Sequence, residues 1–225
     1  MRFGDKAGRM IVVIQCAASK HSDAGRFKAP DEKPVIFVAD PQAAPANDTC
    51  IYARPDDHAK NDITWRDLLV SYNKAGGNPF GLCPAYCLYE NKTYGQLASR
   101  FGLNKLYILS AGWGLISADF LTPYYDITFS PSAEAYKRRR KVDRYCDFCM
   151  LPMSTDEPIV FFGGKDYVPL FCALTKSAKG KRTVFYNSVN PPTAVDCALE
   201  RFETATRTNW HYECAKYFLS REGNR

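Results

Sequence analysis

Long apolar runs are missing from this 225-residue chain: none approaches the roughly 18 residues needed to cross a bilayer, which excludes a membrane-spanning helix. The N-terminus lacks the charged, apolar, then small-residue pattern of a secretory signal, so the expected compartment is the cytoplasm. Neither a Gly-x4-Gly-Lys-Ser/Thr loop nor a Gly-x-Gly-x-x-Gly fingerprint is present, which argues against a Walker-type nucleotide site and a standard dinucleotide site. Histidine is scarce. The three residues His21, His58 and His211 sit in no setting that marks a partner for a nucleophilic cysteine. There is no internal repeat, low-complexity tract or flexible linker.

What is present is the balance of a globular protein. Apolar residues make up 46% and charged residues 24%, too hydrophobic a mixture for disorder and enough for one sizeable core, so a single domain over 1–225 is expected. Nine cysteines, an odd number without a secretory signal, point to reduced thiols. Cys83/Cys87 and Cys146/Cys149 have metal-like spacing, but both pairs fall on expected helices, where core positions produce the same spacing. The expectation is no metal and no cofactor.

Charge is uneven. Residues 1–130 hold 14 basic and 13 acidic side chains, and residues 131–225 hold 16 and 11, so the excess lies in the second part. It concentrates in Lys137, Arg138, Arg139, Arg140 and Lys141, followed by Arg144. Such a run is either a solvated helix face or a phosphate-binding face for DNA.

Short β-branched or aromatic runs bounded by turn residues predict strands at Met10–Gln15, Pro34–Asp40, Lys105–Ser110, Pro158–Gly164 and 182–187. Helical spacing predicts helices over 64–75 with Thr64 as N-cap, 84–101 ending near Gly102, 132–150 carrying the basic run, and 166–177. One or two closing helices are expected from the segments starting at Asn190 and Asn209. Alternating strands and helices with doubly apolar strands indicate an α/β fold in three layers: a mainly parallel sheet with helices on both faces. Ligands of such sheets bind at the strands' carboxyl ends, where topology alone brings together Cys16–Lys20, Ser110–Asp126 and Gly163–Tyr167.

Each segment offers chemistry. Cys16, Ser19 and Lys20 supply a thiol, a hydroxyl and an amine. Gly163 and Gly164 let backbone amides approach a ligand, with Lys165, Asp166 and Tyr167 beside them; the alternative for Asp166 is a helix cap. Ser110 ends a strand, and Trp113, flanked by Gly112 and Gly114, is placed to project from a loop. Tyr124 and Tyr125 add flat faces for stacking a nucleobase, the alternative being that these aromatics fill the core. Asp126 supplies a carboxylate. An acid beside a base-stacking pocket fits N-glycosidic cleavage, in which the sugar becomes cationic as the base departs.

Four segments in order, "CAASK", "CPAYCLY", "LSAGWGLI…PYYDITF" and "FFGGKDY", resemble a bacterial and phage family similar to the YaaA proteins and to the uracil-DNA-glycosylase-like domain of archaeosine-pathway enzymes. The likeness spans roughly residues 10–170. It implies a uracil-DNA-glycosylase-like fold and chemistry on a nucleobase. One branch comprises antiphage DNA glycosylases that remove glucosylated hydroxymethylcytosine and leave abasic sites. The family's Tyr-Asp step falls on Tyr125 and Asp126, with Tyr124 inserted before it. The Gly-x-Asp-Pro-Tyr motif of ordinary uracil-DNA glycosylases is missing after the first strand. The expectation is therefore a DNA glycosylase with Asp126 catalytic, Trp113, Tyr124 and Tyr125 around the base, and Lys137 to Lys141 on phosphate. Its double-stranded DNA partner would be phage DNA with modified bases. The alternatives are a non-catalytic module that binds modified nucleic acid and an enzyme acting on free nucleosides.

Overall fold

Strand β1 (Ile11–Gln15) is hidden from solvent from Ile11 to Ile14, as a β-branched run covered on both faces should be. The computed structural model, which describes residues 10–223, continues through short elements: β2 (Val35–Phe37), β3 (Ile51–Ala53), β4 (His58–Lys60), β5 (Ile63–Thr64), α1 (Trp65–Ala75), β6 (Cys83–Pro84) and α2 (Thr93–Phe101). Next come β7 (Leu106–Ser110), β8 (Gly114–Ser117), β9 (Leu121–Thr122) and β10 (Phe148–Cys149). The chain then forms β11 (Ile159–Phe162), α3 (Val168–Leu174), β12 (Arg182–Tyr186), β13 (Ala198–Arg201) and α4 (Trp210–Gly223).

The central sheet has seven strands in the order β10-β8-β7-β1-β11-β12-β13. β7, β1, β11, β12 and β13 are parallel, while β8 runs back along β7 and β10 follows the direction of β8. Adjacent side chains of β11 show how the faces are covered. Phe161 stacks on Phe171 of α3 at 4.7 Å between ring centres, and Phe162 meets Phe218 of α4 at 5.4 Å. Successive strand residues point to opposite faces, so α3 and α4 lie on opposite sides of the sheet. α2 packs with α4. The mixed α/β architecture with helices on both faces therefore matches the sequence.

Topology then places a crevice. From β1 the chain reaches β7 through α2 on one face, whereas β11 reaches β12 through α3 on the other. Where connections diverge in this way, the carboxyl ends of the neighbouring strands, here β1 and β11, leave a ligand-sized gap.

Local signals hold at several ends. Thr64 caps α1 with a complete capping box, its hydroxyl accepting from Asp67 N while the Asp67 carboxylate accepts from Thr64 N. Other expectations need correction. The strand at Pro34–Asp40 shortens to β2 and pairs with β3 in a separate two-stranded sheet. The helix expected over 84–101 begins at Thr93, after a single 3-10 turn at Ala85–Cys87. The segment after Asn190 contributes β13, whose alternating half-buried and exposed positions suit a sheet edge. Neither cysteine pair lies on an α-helix, and among the described residues no group of three or more His, Cys, Asp or Glu side chains is arranged to hold a metal ion.

The largest correction concerns 132–150, which forms no α-helix: it holds one 3-10 turn at Ala135–Lys137 and the short β10. Consecutive cations on a helix repel one another at i+3 and i+4. Here the backbone instead runs beside the segment before it, Thr128 N donating to Lys137 O (2.9 Å) and Arg139 N to Thr128 O (2.8 Å).

Candidate functional site

A crevice of about 600 Å³ opens where the topology places it, lined by Gln15 to Ser19, Thr128, Gly164, Asp166, Tyr167 and the start of α4. Gly164 N donates to Gln15 Oε1 at 2.6 Å, tying the carboxyl ends of β11 and β1 together. The tight approach at this corner requires glycine: a Cβ on Gly163 would lie 2.2 Å from the Phe161 ring. Asp166 is half-buried on the lining and does not cap α3, whose N-cap is Tyr167 without a side-chain bond. Ser19 lines the mouth and is exposed, as is Lys165. Cys16–Lys20 and Gly163–Tyr167 meet at the crevice, whereas Ser110–Asp126 contributes no lining residue and touches the first segment behind it, through Ala111 and Tyr125.

Behind the crevice lies a nest of hydroxyl groups. The Cys16 thiol is 3.2 Å from the Tyr167 hydroxyl and accepts from Ala111 N at 3.4 Å. Ser110 donates to the Tyr125 hydroxyl (2.9 Å), which is 2.8 Å from that of Tyr89. The Tyr94 hydroxyl donates to Gln15 O and lies 3.1 Å from Tyr212. Burial pushes the phenols of Tyr89, Tyr94, Tyr125 and Tyr167 well above their ordinary range, so they remain protonated donors at neutral pH.

Lys20 is the unusual member. It is 7% exposed, and its amine sits 4.3 Å above the Tyr125 ring and 5.9 Å from that of Tyr89. Its hydrogen bond is a long one to Ala18 O, 3.4 Å, and it forms no ion pair among the described residues. Burial lowers its pKa; Cys16 and Asp126 oppose that shift, and Lys137 adds to it. The lowered value follows from keeping a cation out of water with no carboxylate in contact.

Tyr124, Tyr125 and Asp126 alternate as an extended chain does. Tyr125 points inward and is fully buried, while Tyr124 is half-buried beneath the Arg26 guanidinium, 4.3 Å from its ring centre. Asp126 is 27% exposed, with Oδ2 2.8 Å from the Lys137 amine, which also reaches Glu134 at 2.7 Å. Both bonds raise the Lys137 pKa, that to Asp126 more. Asp126 stands beside Lys20 electrostatically but does not line the crevice.

Trp113 is corrected from a projecting platform to a core residue. It is 0% exposed, edge-on to Phe37 and stacked on Phe148. Its turn is clamped by two buried guanidinium groups: Arg66 donates to Trp113 O and Gly112 O at 3.1 Å each, and Arg139 donates to Ala111 O at 2.9 Å. Ser110 Oγ accepts from Gly112 N and Trp113 N. Gly114 takes φ +92° and leaves no room for a Cβ, which would be 2.5 Å from Phe148 O. Ser110, Trp113 and Gly114 thus build the wall behind the site.

The basic run is corrected too. Lys137 pairs as above, Arg138 donates to Pro131 O (3.3 Å), Arg139 is buried on Asp147 through two bonds of 2.8 and 2.6 Å, and Arg140 pairs with Asp143 at 2.9 Å. Lys141 is exposed. Four of the five are thus tied to other parts of the chain, and Arg139 is buried, so the run is not five free cations on one face. Sequence reasoning missed Gln15, Tyr89, Asn91, Thr128 and the crevice-lining segment Arg207–Tyr212; of these Tyr89 and Thr128 carried a signal, as members of "CPAYCLY" and "PYYDITF". In comparisons with protein-family models, curated proteins and solved structures, the chain finds no match.

Proposed function

We propose that this chain is a DNA glycosylase that hydrolyses the N-glycosidic bond of a modified base and leaves an abasic site, with glucosylated hydroxymethylcytosine in phage DNA as the substrate the resemblance names. The observation that carries the reading is the Lys20 amine, buried among tyrosines beside Cys16 and within electrostatic reach of Asp126, behind a crevice of about 600 Å³ that Cys16 to Ser19 line at the sheet's switch point. That volume suits a nucleotide extruded from a duplex.

In this reading the base enters the crevice, where Asn91, Thr128, Asp166 and the Tyr167 hydroxyl face its polar edge. As the glycosidic bond breaks, the sugar ring becomes cationic and the Asp126 carboxylate, oriented by Lys137, stabilises that charge and guides the attacking water. Lys165 and Arg207, both exposed at the rim, meet flanking phosphates.

The test incubates the protein with plain and glucosyl-hydroxymethylated duplexes and reads alkali-labile abasic sites. The expected result is cleavage of the modified duplex, reduced at least ~100-fold in Asp126→Asn, the order of loss seen when one group that stabilises transition-state charge is removed. Asp166→Asn is the control for the crevice carboxylate: if it abolishes turnover and Asp126→Asn does not, the role belongs to Asp166. Absence of abasic sites with every duplex overturns the reading. The internal pairing of the basic run favours a second reading, an enzyme on free nucleosides. Under it, Lys165→Gln with Arg207→Gln leaves turnover unchanged; under the DNA reading it weakens duplex binding and lowers its salt dependence.

A further inference from the structure

We infer that Lys20 is a nucleophile whose amine forms an imine with the aldehyde of an abasic nucleotide, giving the protein a lyase activity in addition to base removal. The inference rests on the proposed base removal, because that step generates the aldehyde.

The placement of the side chain carries the inference. Lysines are rarely buried unless paired with a carboxylate, yet Lys20 is 7% exposed and its amine contacts aromatic rings and one carbonyl. It is fixed on both sides, by a β-bridge to Tyr89 and by the face of Tyr125. Cys16 to Ser19, the residues leading to it, line the crevice, and His21 and Tyr89 line a second recess of about 990 Å³; Glu90 and Asn91 border both. The backbone on either side of Lys20 thus borders both openings, and the amine itself lies buried behind them, next to Cys16 of the crevice lining. Burial holds its pKa below the ordinary lysine value, which raises the neutral, nucleophilic fraction.

The chemistry balances without a cofactor. The Nζ lone pair attacks the C1′ carbonyl carbon of the ring-opened sugar. The C–N bond forms, the nitrogen passes one of its two protons to the oxygen and keeps the other, solvent supplies the second oxygen proton, and the oxygen leaves as water. The resulting iminium acidifies the C2′ hydrogen, whose proton passes to water. The electron pair left behind expels the 3′ phosphate as the C3′–O bond breaks, nicking the strand. Water then hydrolyses the imine and regenerates the amine.

A structural role for Lys20, a cation bracing the Tyr125 ring, predicts none of this. The test supplies a duplex with a preformed abasic site, so its outcome does not depend on base removal, and adds borohydride to reduce any imine to a stable amine. The expected result is a protein–DNA adduct mapped to Lys20 by peptide mass spectrometry and reduced at least tenfold in Lys20→Met. Lys20→Arg keeps the cation over the ring and cannot form the imine, so it must lose the adduct while its thermal midpoint stays near wild type. Lack of any adduct, an adduct mapped elsewhere, or an undiminished adduct in a folded Lys20→Arg overturns the inference. Base release from the modified duplex with no adduct on the abasic one would refute the lyase alone and leave the glycosylase reading standing.

Discussion

At the scale of single residues, the inward turn of Trp113 depends on Gly114, whose φ of +92° and crowding against Phe148 O admit no side chain. A tryptophan between two glycines reads equally as a projecting platform or as a plug, and the turn at 112–114 faces it inward, between Phe37 and Phe148. Likewise "YYD" does not say which tyrosine enters the core; the alternation fixed by the Phe37 to Tyr125 bridge decides it. Composition gave no sign of His211, which is 4% exposed in the first turn of α4, its Nε2 without a hydrogen-bond partner among the described residues. Burial lowers its pKa to about 4 from 6.5, so the unfolded chain takes up the proton first as the solution is acidified. Its contribution to stability is complete above about pH 6.5, declines as pH falls towards 4, and levels off below, a loss of about 3 kcal/mol at most. Urea unfolding at pH 7.5 and 4.5 should show this acid loss shrinking in His211→Gln. An identical loss in both proteins contradicts the assignment.

At the scale of elements, strands were legible because β-branched runs bounded by turns leave little choice, and β1, β7, β11 and β12 lie within two residues of their expected bounds. The segment 132–150 was not, because its helical propensity is overridden by pairings distant in sequence that no local pattern shows. Arg139 is the clearest instance: its guanidinium joins Asp147 to Ala111 O, and side-chain exposure at the ion pair is only 6% and 10%. Replacing Arg139 with alanine leaves the Asp147 charge buried without its partner and frees the carbonyl at the end of β7. The expected cost is about 3–5 kcal/mol, read as a lower urea midpoint. Arg140→Ala removes a solvent-exposed guanidinium from Asp143, leaves the Arg140 N bond to that carboxylate in place, and should lower the midpoint far less. Equal losses would show that the run is a solvated surface after all.

At the scale of the whole molecule, the sequence correctly indicated a mainly parallel sheet between helices, and two of its three expected segments, Cys16–Lys20 and Gly163–Tyr167, meet at the crevice while Ser110–Asp126 stays behind it. What it could not show is how charge is distributed. The formal +6 resembles a DNA-binding face when read along the chain, but folding uses much of the basic run for internal ties and leaves Arg207 on the crevice lining, with Lys165 exposed between the lining residues Gly164 and Asp166. The central claim, removal of a modified base with Asp126 as the carboxylate, is tested most directly by mass spectrometry of what the protein liberates from duplex DNA containing glucosyl-hydroxymethylcytosine, beside the matching free nucleoside. The account predicts the intact modified base released from the duplex, none from the nucleoside, and loss of release in Asp126→Asn. No base from either substrate, or release undiminished in Asp126→Asn, would contradict it.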